Sequence, residues 1–339
     1  MTRRARLAAL VIALVLVASC SSSGGTSSSE TPSSSDSTVA KTLRGFVSGT
    51  LVSGHQELAA AATKLQTTLQ GCDARVADAR DAWRQTRLAW DKVAPFAFGA
   101  QTQRLLPSQV DYWPVKTDEI DAFAAATGDV TPTDVGALGS GARGLPALER
   151  LLFSTTPLAG RRCAYAQQLT KDIAEGAANV ASDWQHDADV FAKYNRALAD
   201  VVSALADAAY RIADDQLAMP AGVRAGTTPN PALLHGREGG MALIDAKTQL
   251  ESIRAAYAAA VAPILAARGP DADASMNAAL AAAAQALNLI TGDLATAITA
   301  QRDVVLAASE ACRVVRYTFA TQVAGALGIT LNVPAGDGD

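Results

Sequence analysis

Apolar residues recur along this chain at helical spacing. Leu243, Ala246, Leu250, Ile253 and Tyr257 fall near heptad positions, and Ala308, Cys312, Val315 and Phe319 stand at i, i+4, i+7 and i+11. Such periods gather apolar side chains on one face of an α-helix. The alternating β-branched runs that a half-buried strand needs are missing, and aromatic residues make up only 5% of an Ala-rich chain. The fold class read from this is all-α. Helices are expected over 39–70, 73–93, 115–126, 161–193, 194–217, 240–260, 276–290 and 293–327, with Pro- and Gly-rich turns between them. Trp83 and Trp90, at i and i+7, are expected to anchor a core. The apolar stretches carry regular charges, so none reads as a membrane span. The expected organisation is two packed antiparallel bundles, residues 39–193 and 194–331, with a tail over 332–339.

The amino terminus reads as a targeting segment. Arg3, Arg4 and Arg6 precede an apolar run from Leu7 to Val17, and Val17-Ala18-Ser19-Cys20 has the form of a lipobox. Residues 1–19 are therefore expected to be a lipoprotein signal peptide, with Cys20 the lipidated residue. Residues 20–38 are dominated by Ser, Gly, Thr and Pro, a composition unable to bury a core and expected to form a disordered tether. The expected location is the cell envelope, extracytoplasmic, held to the membrane by a lipid anchor. Cleavage moves the formal charge from −4 to −7, and no basic block suggests nucleic acid.

An oxidising compartment permits a disulfide. Cys72 and Cys163 lie at expected helix starts beside loops and are expected to pair, while Cys312 sits in an apolar stripe as a free, buried thiol.

One stretch carries a misplaced charge. In GARGLPALERLLF, residues 141–153, Leu145, Leu148, Glu149 and Leu152 share one helix face that is apolar except for Glu149. A buried carboxylate must find a partner or take up a proton. The helix dipole or an Arg partner would suffice; the other reading is a ligand-binding or catalytic acid. Pro146 falls in the first turn, where its missing N–H is harmless.

GLPALERLLF, the RCAYA segment after it, the Tyr112–Pro114 tripeptide and the terminal LGITLNVPAGDGD together resemble the imelysin-like family of bacterial envelope lipoproteins, from about residue 40 onward. The resemblance implies two four-helix-type bundles with a functional groove between them. It also implies relatives that include an insulin-cleaving metallopeptidase and periplasmic components of iron uptake, with iron or a divalent metal as the group such a site would hold. The family's Gly-x-His-x-x-Glu motif maps onto Gly144, Pro146 and Glu149. The His is replaced by Pro146, which has no lone pair to offer a metal, so Glu149 is left as the one metal-ligand candidate of that motif.

Of three histidines, His55 and His186 read as surface positions. His235 lies in a Gly-rich turn leading into a helix, LHGREGG over 234–240, where backbone N–H groups and polar side chains can converge. If that turn faces Glu149, then Glu149, Arg143, His235, Arg237 and Glu238, with Asp111 and Tyr112, would form one polar site. The adjacent pairs Asp118/Glu119 and Asp214/Asp215 read as solvated surface. There is no GxSxG, HExxH, P-loop or GxGxxG pattern. The expected function is a non-catalytic envelope lipoprotein binding a metal or small polar ligand, linked to iron uptake. The alternatives are a metallopeptidase with altered ligands and a structural lipoprotein that binds a peptide or an envelope partner.

Overall fold

A computed structural model describes residues 34–223 and 228–331 of the chain. The expected signal peptide, Cys20, most of the tether and the tail lie outside the described residues. Helix α1 (Ser34–Phe46) begins earlier than expected and is joined through a π-helical stretch, Val47–Val52, to α2 (Ser53–Thr68). Next come α3 (Val76–Val93), the short α4 (Gly99–Gln103), α5 (Leu106–Val110), α6 (Thr117–Ala125) and α7 (Pro132–Gly136), then α8 (Gly144–Phe153) and the long α9 (Gly160–Lys193). Helix α2 runs antiparallel to both α3 and α9. The Lys92–Glu57 ion pair ties α3 to α2, and α2 meets α9 through Gln167, whose side-chain amide donates to Leu69 O at 2.9 Å.

The second bundle opens with α10 (Ala197–Arg211), continued by a π-helical stretch, Ile212–Ala218. It adds α11 (Ala242–Ala256), α12 (Ala262–Arg268), α13 (Pro270–Leu289), α14 (Leu294–Ala300), α15 (Arg302–Thr318) and α16 (Ala324–Leu327). Helix α15 runs antiparallel to α10 and its continuation: Arg302 at its start donates to Ala221 O at 2.9 Å, and Arg316 near its end lies over the Tyr210 ring at 4.3 Å. The expected all-α, two-bundle fold is present, with no strand among the described residues. Alanines at the buried helix faces let axes approach closely. A few large side chains, Trp83, Trp184, Tyr165 and Tyr257, fill the wider gaps.

Cys72 and Cys163 form the expected disulfide, with Cα atoms 5.7 Å apart. Cys312 is free and fully buried, and burial pushes its thiol up to about 12.

Two surface assignments are corrected. His55 is wholly buried: its Nδ1 lies 2.7 Å from Leu51 O, and its Nε2 accepts from the Gln101 amide at 3.1 Å. Burial lowers its pKa, so the ring stays neutral. Asp214 is 3% exposed, because the wider π-helical turn swings it toward Arg313. His186 is exposed, as expected.

Candidate functional site

Helix α8 presents Glu149 to the interface between bundles, with the residue 9% exposed. Its Oε1 accepts the Gly239 N–H at 2.9 Å, and the Glu238 N–H adds a second backbone hydrogen bond. The Gly-rich turn from the second bundle thus docks onto Glu149. The partner anticipated as a helix dipole or an Arg is instead a pair of backbone amides. Arg84 of α3 holds the same glycine by its carbonyl, donating to Gly239 O at 2.9 Å. The residue there must be glycine: a Cβ on Gly239 would stand 2.2 Å from the Trp83 ring. The motif glycine, Gly144, is equally constrained, with φ +71° and Val110 O only 2.2 Å from where a Cβ would lie. It lets α8 start against the end of α5, beside Asp111. Desolvation pushes the Glu149 carboxyl up, while the two amides and Arg87 pull it back.

Behind Glu149 lies a charge cluster that spans both bundles. Arg87 of α3, with its side chain 1% exposed, donates through Nη1 to Asp111 Oδ1 at 2.6 Å and through Nε to Asp245 Oδ2 at 3.0 Å. Trp90 Nε1 donates to the other Asp111 oxygen at 3.0 Å. Asp91 Oδ1 accepts from Gln249 at 2.8 Å, and Gln249 in turn accepts from Gln216 at 2.9 Å. Asp91 and Asp245 are within hydrogen-bonding reach of each other, and the oxygens left without another partner are Asp91 Oδ2 and Asp245 Oδ1. One proton shared between them satisfies both. Burial raises both carboxyls, Asp245 well above its ordinary range, so Asp245 is the proton's holder. Desolvation would lower Arg87, but the surrounding aspartates hold its guanidinium charged.

A pocket of about 470 Å³ opens from this cluster to the surface between the bundles. The first bundle contributes Asp111, Tyr112 and Trp113 to its lining, and the second Arg211, Asp215, Met219 and His235. The His235 ring stacks on Trp113 at 4.1 Å and is half-buried at the pocket wall. Burial pushes its pKa down to about 4, with Asp111 opposing and Arg87 assisting. The imidazole is therefore neutral at physiological pH and offers one donor and one acceptor.

The structure thus brings Glu149 to the His235 turn, and gathers His235, Asp111 and Tyr112 in one pocket. It does not bring in the other three. Arg143 precedes α8 without a capping hydrogen bond and acts on Tyr165 and Asp172 of α9. Arg237 and Glu238 pair with each other on the outer side of the turn. Arg87, Asp91, Asp245, Arg211 and Asp215 were not anticipated. A signal for two of them existed, since Arg87 and Asp91 share the face of α3 that carries Trp83 and Trp90.

The residues present do not fit the His/Glu metal pair of the resembled motif. Pro146 is buried and has no lone pair, and Glu149 Oε1 faces backbone N–H donors that would repel a cation. Among the described residues, no three His, Cys, Asp or Glu side chains are placed to hold one metal ion.

The profile of the family described as Imelysin, peptidase family M75, matches residues 51–317. The chain belongs to the imelysin family. Iron-regulated protein A of Synechococcus elongatus is 25% identical over 201 residues, covering 53% of this chain. The chain spans about half of that curated relative, 54% of its length. Among solved structures, an imelysin-like protein from Psychrobacter arcticum superposes with a TM-score of 0.74 at 18% identity, covering 87% of this chain and 97% of that one. A structure described as an iron-regulated protein A precursor, from Parabacteroides distasonis, gives 0.70 at 17% identity, covering 88% and 97%. At these identities the two structures establish that the imelysin fold is shared.

Proposed function

We propose that this imelysin-family chain is a lipid-anchored protein of the cell envelope that binds a small polar ligand between its bundles, works in iron acquisition, and does not hydrolyse peptides. The observation that carries the non-catalytic reading is the docking of Gly239 onto Glu149. The carboxylate that would be half of a metal site is engaged by backbone donors, and its other half is Pro146. The ligand reading rests on the pocket beside it, where a neutral imidazole, Asp215, Arg211 and the Tyr112 hydroxyl supply both donors and acceptors. The link to iron rests on the names of relatives in two organisms. The envelope location rests on the Val17–Cys20 lipobox.

Metal analysis of purified protein, with calorimetric titration of iron, zinc and copper, tests the first part. No stoichiometric metal is expected, and none that Glu149→Ala abolishes. Tight uptake lost in Glu149→Ala, or peptide hydrolysis stopped by a chelator, would overturn it. Mass spectrometry of small molecules co-purifying with wild type and with His235→Ala tests the pocket. Palmitate labelling that disappears in Cys20→Ala tests the anchor, and protein levels under iron limitation test the iron link.

A further inference from the structure

A second cleft between the bundles, about 520 Å³, shares no lining residue with the His235 pocket. The first bundle contributes residues of the π-helical stretch Val47–Val52, the start of α2 and Lys92 of α3, and the second contributes α11. We propose that this cleft binds a small aliphatic monocarboxylate, seated on the Lys247 ammonium and the Thr50 and Thr248 hydroxyls.

Lys247 is half-buried, and its ammonium forms no ion pair or hydrogen bond among the described residues. The other charges of the cleft are matched locally: Lys92 pairs with Glu57, and Glu251 pairs with Arg254 at 2.8 Å. Thr50 and Thr248 are half-buried as well. A helical threonine can donate its hydroxyl to the carbonyl four residues back, as Thr63, Thr67, Thr86 and Thr318 do. The Thr50 and Thr248 hydroxyls make no such bond and have no other partner among the described residues. The two serines of the lining differ: Ser53 donates to Gly49 O and Ser252 to Lys92 O, both at 2.6 Å. None of the three unpartnered atoms is sealed inside the protein, so an occupant of the cleft can reach them.

A carboxylate matches these donors in charge and in capacity. It only accepts hydrogen bonds, and its oxygens have lone pairs enough for one ammonium and both hydroxyls. The bond to the ammonium is charge-assisted, which is the stronger kind. A doubly charged phosphate would bring a second negative charge beside Glu57 and Glu251, against one uncompensated lysine. A cation would meet that lysine. The rest of the occupant meets small residues, Gly49, Gly54 and Ala255. A Cβ placed on Gly49 would find nothing within 4 Å, so the cleft is open there and leaves room for an aliphatic body. The volume is that of a small-molecule site.

Calorimetry on the full mature chain tests this with three probes: hexanoate, hexanamide, which keeps the shape and loses the charge, and inorganic phosphate. Hexanoate is expected to bind about tenfold or more tightly than hexanamide. Lys247→Met keeps most of the apolar stem and is expected to weaken hexanoate about tenfold. Gly49→Leu places a side chain in open space at an exposed position. It is expected to fill the cleft and abolish binding, and serves if Lys247→Met fails to fold. Equal affinity for hexanoate and hexanamide would overturn the proposal, as would phosphate binding more tightly than hexanoate. So would no saturable hexanoate binding below about 10 mM, or binding untouched by both substitutions, which would place the carboxylate elsewhere.

Discussion

Replacing Asp245 by Asn should make the protein more stable at neutral pH, although the substitution removes a buried acid next to a buried arginine. The reasoning follows the unpartnered oxygens. Asp245 Oδ2 accepts from Arg87 Nε at 3.0 Å, and Oδ1 shares a proton with Asp91 Oδ2. An Asn side chain reproduces both contacts, with its carbonyl toward Arg87 and its amide N–H toward Asp91. The folded carboxyl is raised well above 3.8, so the folded state holds a proton that the unfolded chain has released. For a raised acid, stability is full below the unfolded value and is lost as pH rises through the folded one. Each pH unit in that window costs about 1.4 kcal/mol. The variant escapes that cost. It gives up a charge-assisted O–H···O bond for a weaker N–H···O bond, a loss of about 1–2 kcal/mol. The net expectation is a variant more stable than wild type at pH 7, with the advantage vanishing or reversing near pH 4. Asp245→Ala leaves Arg87 and Asp91 unmatched and should cost about 3–5 kcal/mol. Urea denaturation of the three proteins across pH 4–8 reads all of this. The reasoning fails if Asn is more than about 1 kcal/mol less stable than wild type at pH 7, or if the fall of stability with pH persists unchanged in the variant.

Three further outcomes are expected. Replacing Cys72 and Cys163 by Ala opens a loop of 91 residues and should lower stability by about 4 kcal/mol, read by denaturation under non-reducing conditions. Gly239→Ala drives a methyl into the Trp83 ring and should cost about 1–3 kcal/mol, with a change in tryptophan emission; an unperturbed variant would contradict the close approach of the turn. His235 should titrate in NMR with a midpoint at about 4, its signal assigned by its absence in His235→Ala. Because its folded value lies below 6.5, the unfolded chain takes the proton first, so this group withdraws stability as pH falls from about 6.5 toward 4. A midpoint near 6.5 would mean that the ring is not held against Trp113.

What the sequence determined by itself is what local spacing can encode. The helical period of Ala308, Cys312, Val315 and Phe319 placed those residues on a buried face, and all four are buried. The stripe through Leu145, Leu148, Glu149 and Leu152 put a carboxylate inside, and Pro146 in the resembled motif removes a metal ligand by its chemistry alone. Flanking loops and a stripe were enough to pair Cys72 with Cys163 and leave Cys312 free. The tertiary structure alone decided which helices have a second covered face. Helix α3 packs on α2 with one side and on α11 with another, so Arg87 and Asp91 are enclosed between them. His55 and Asp214 were misplaced for the same reason, each lying where a π-helical turn or a neighbouring segment covers a face that periodicity leaves open. Spacing along one helix reports how wide its apolar stripe is. It carries no record of a partner reached across 158 residues, as Arg87 reaches Asp245, because that contact exists only when both bundles close on it.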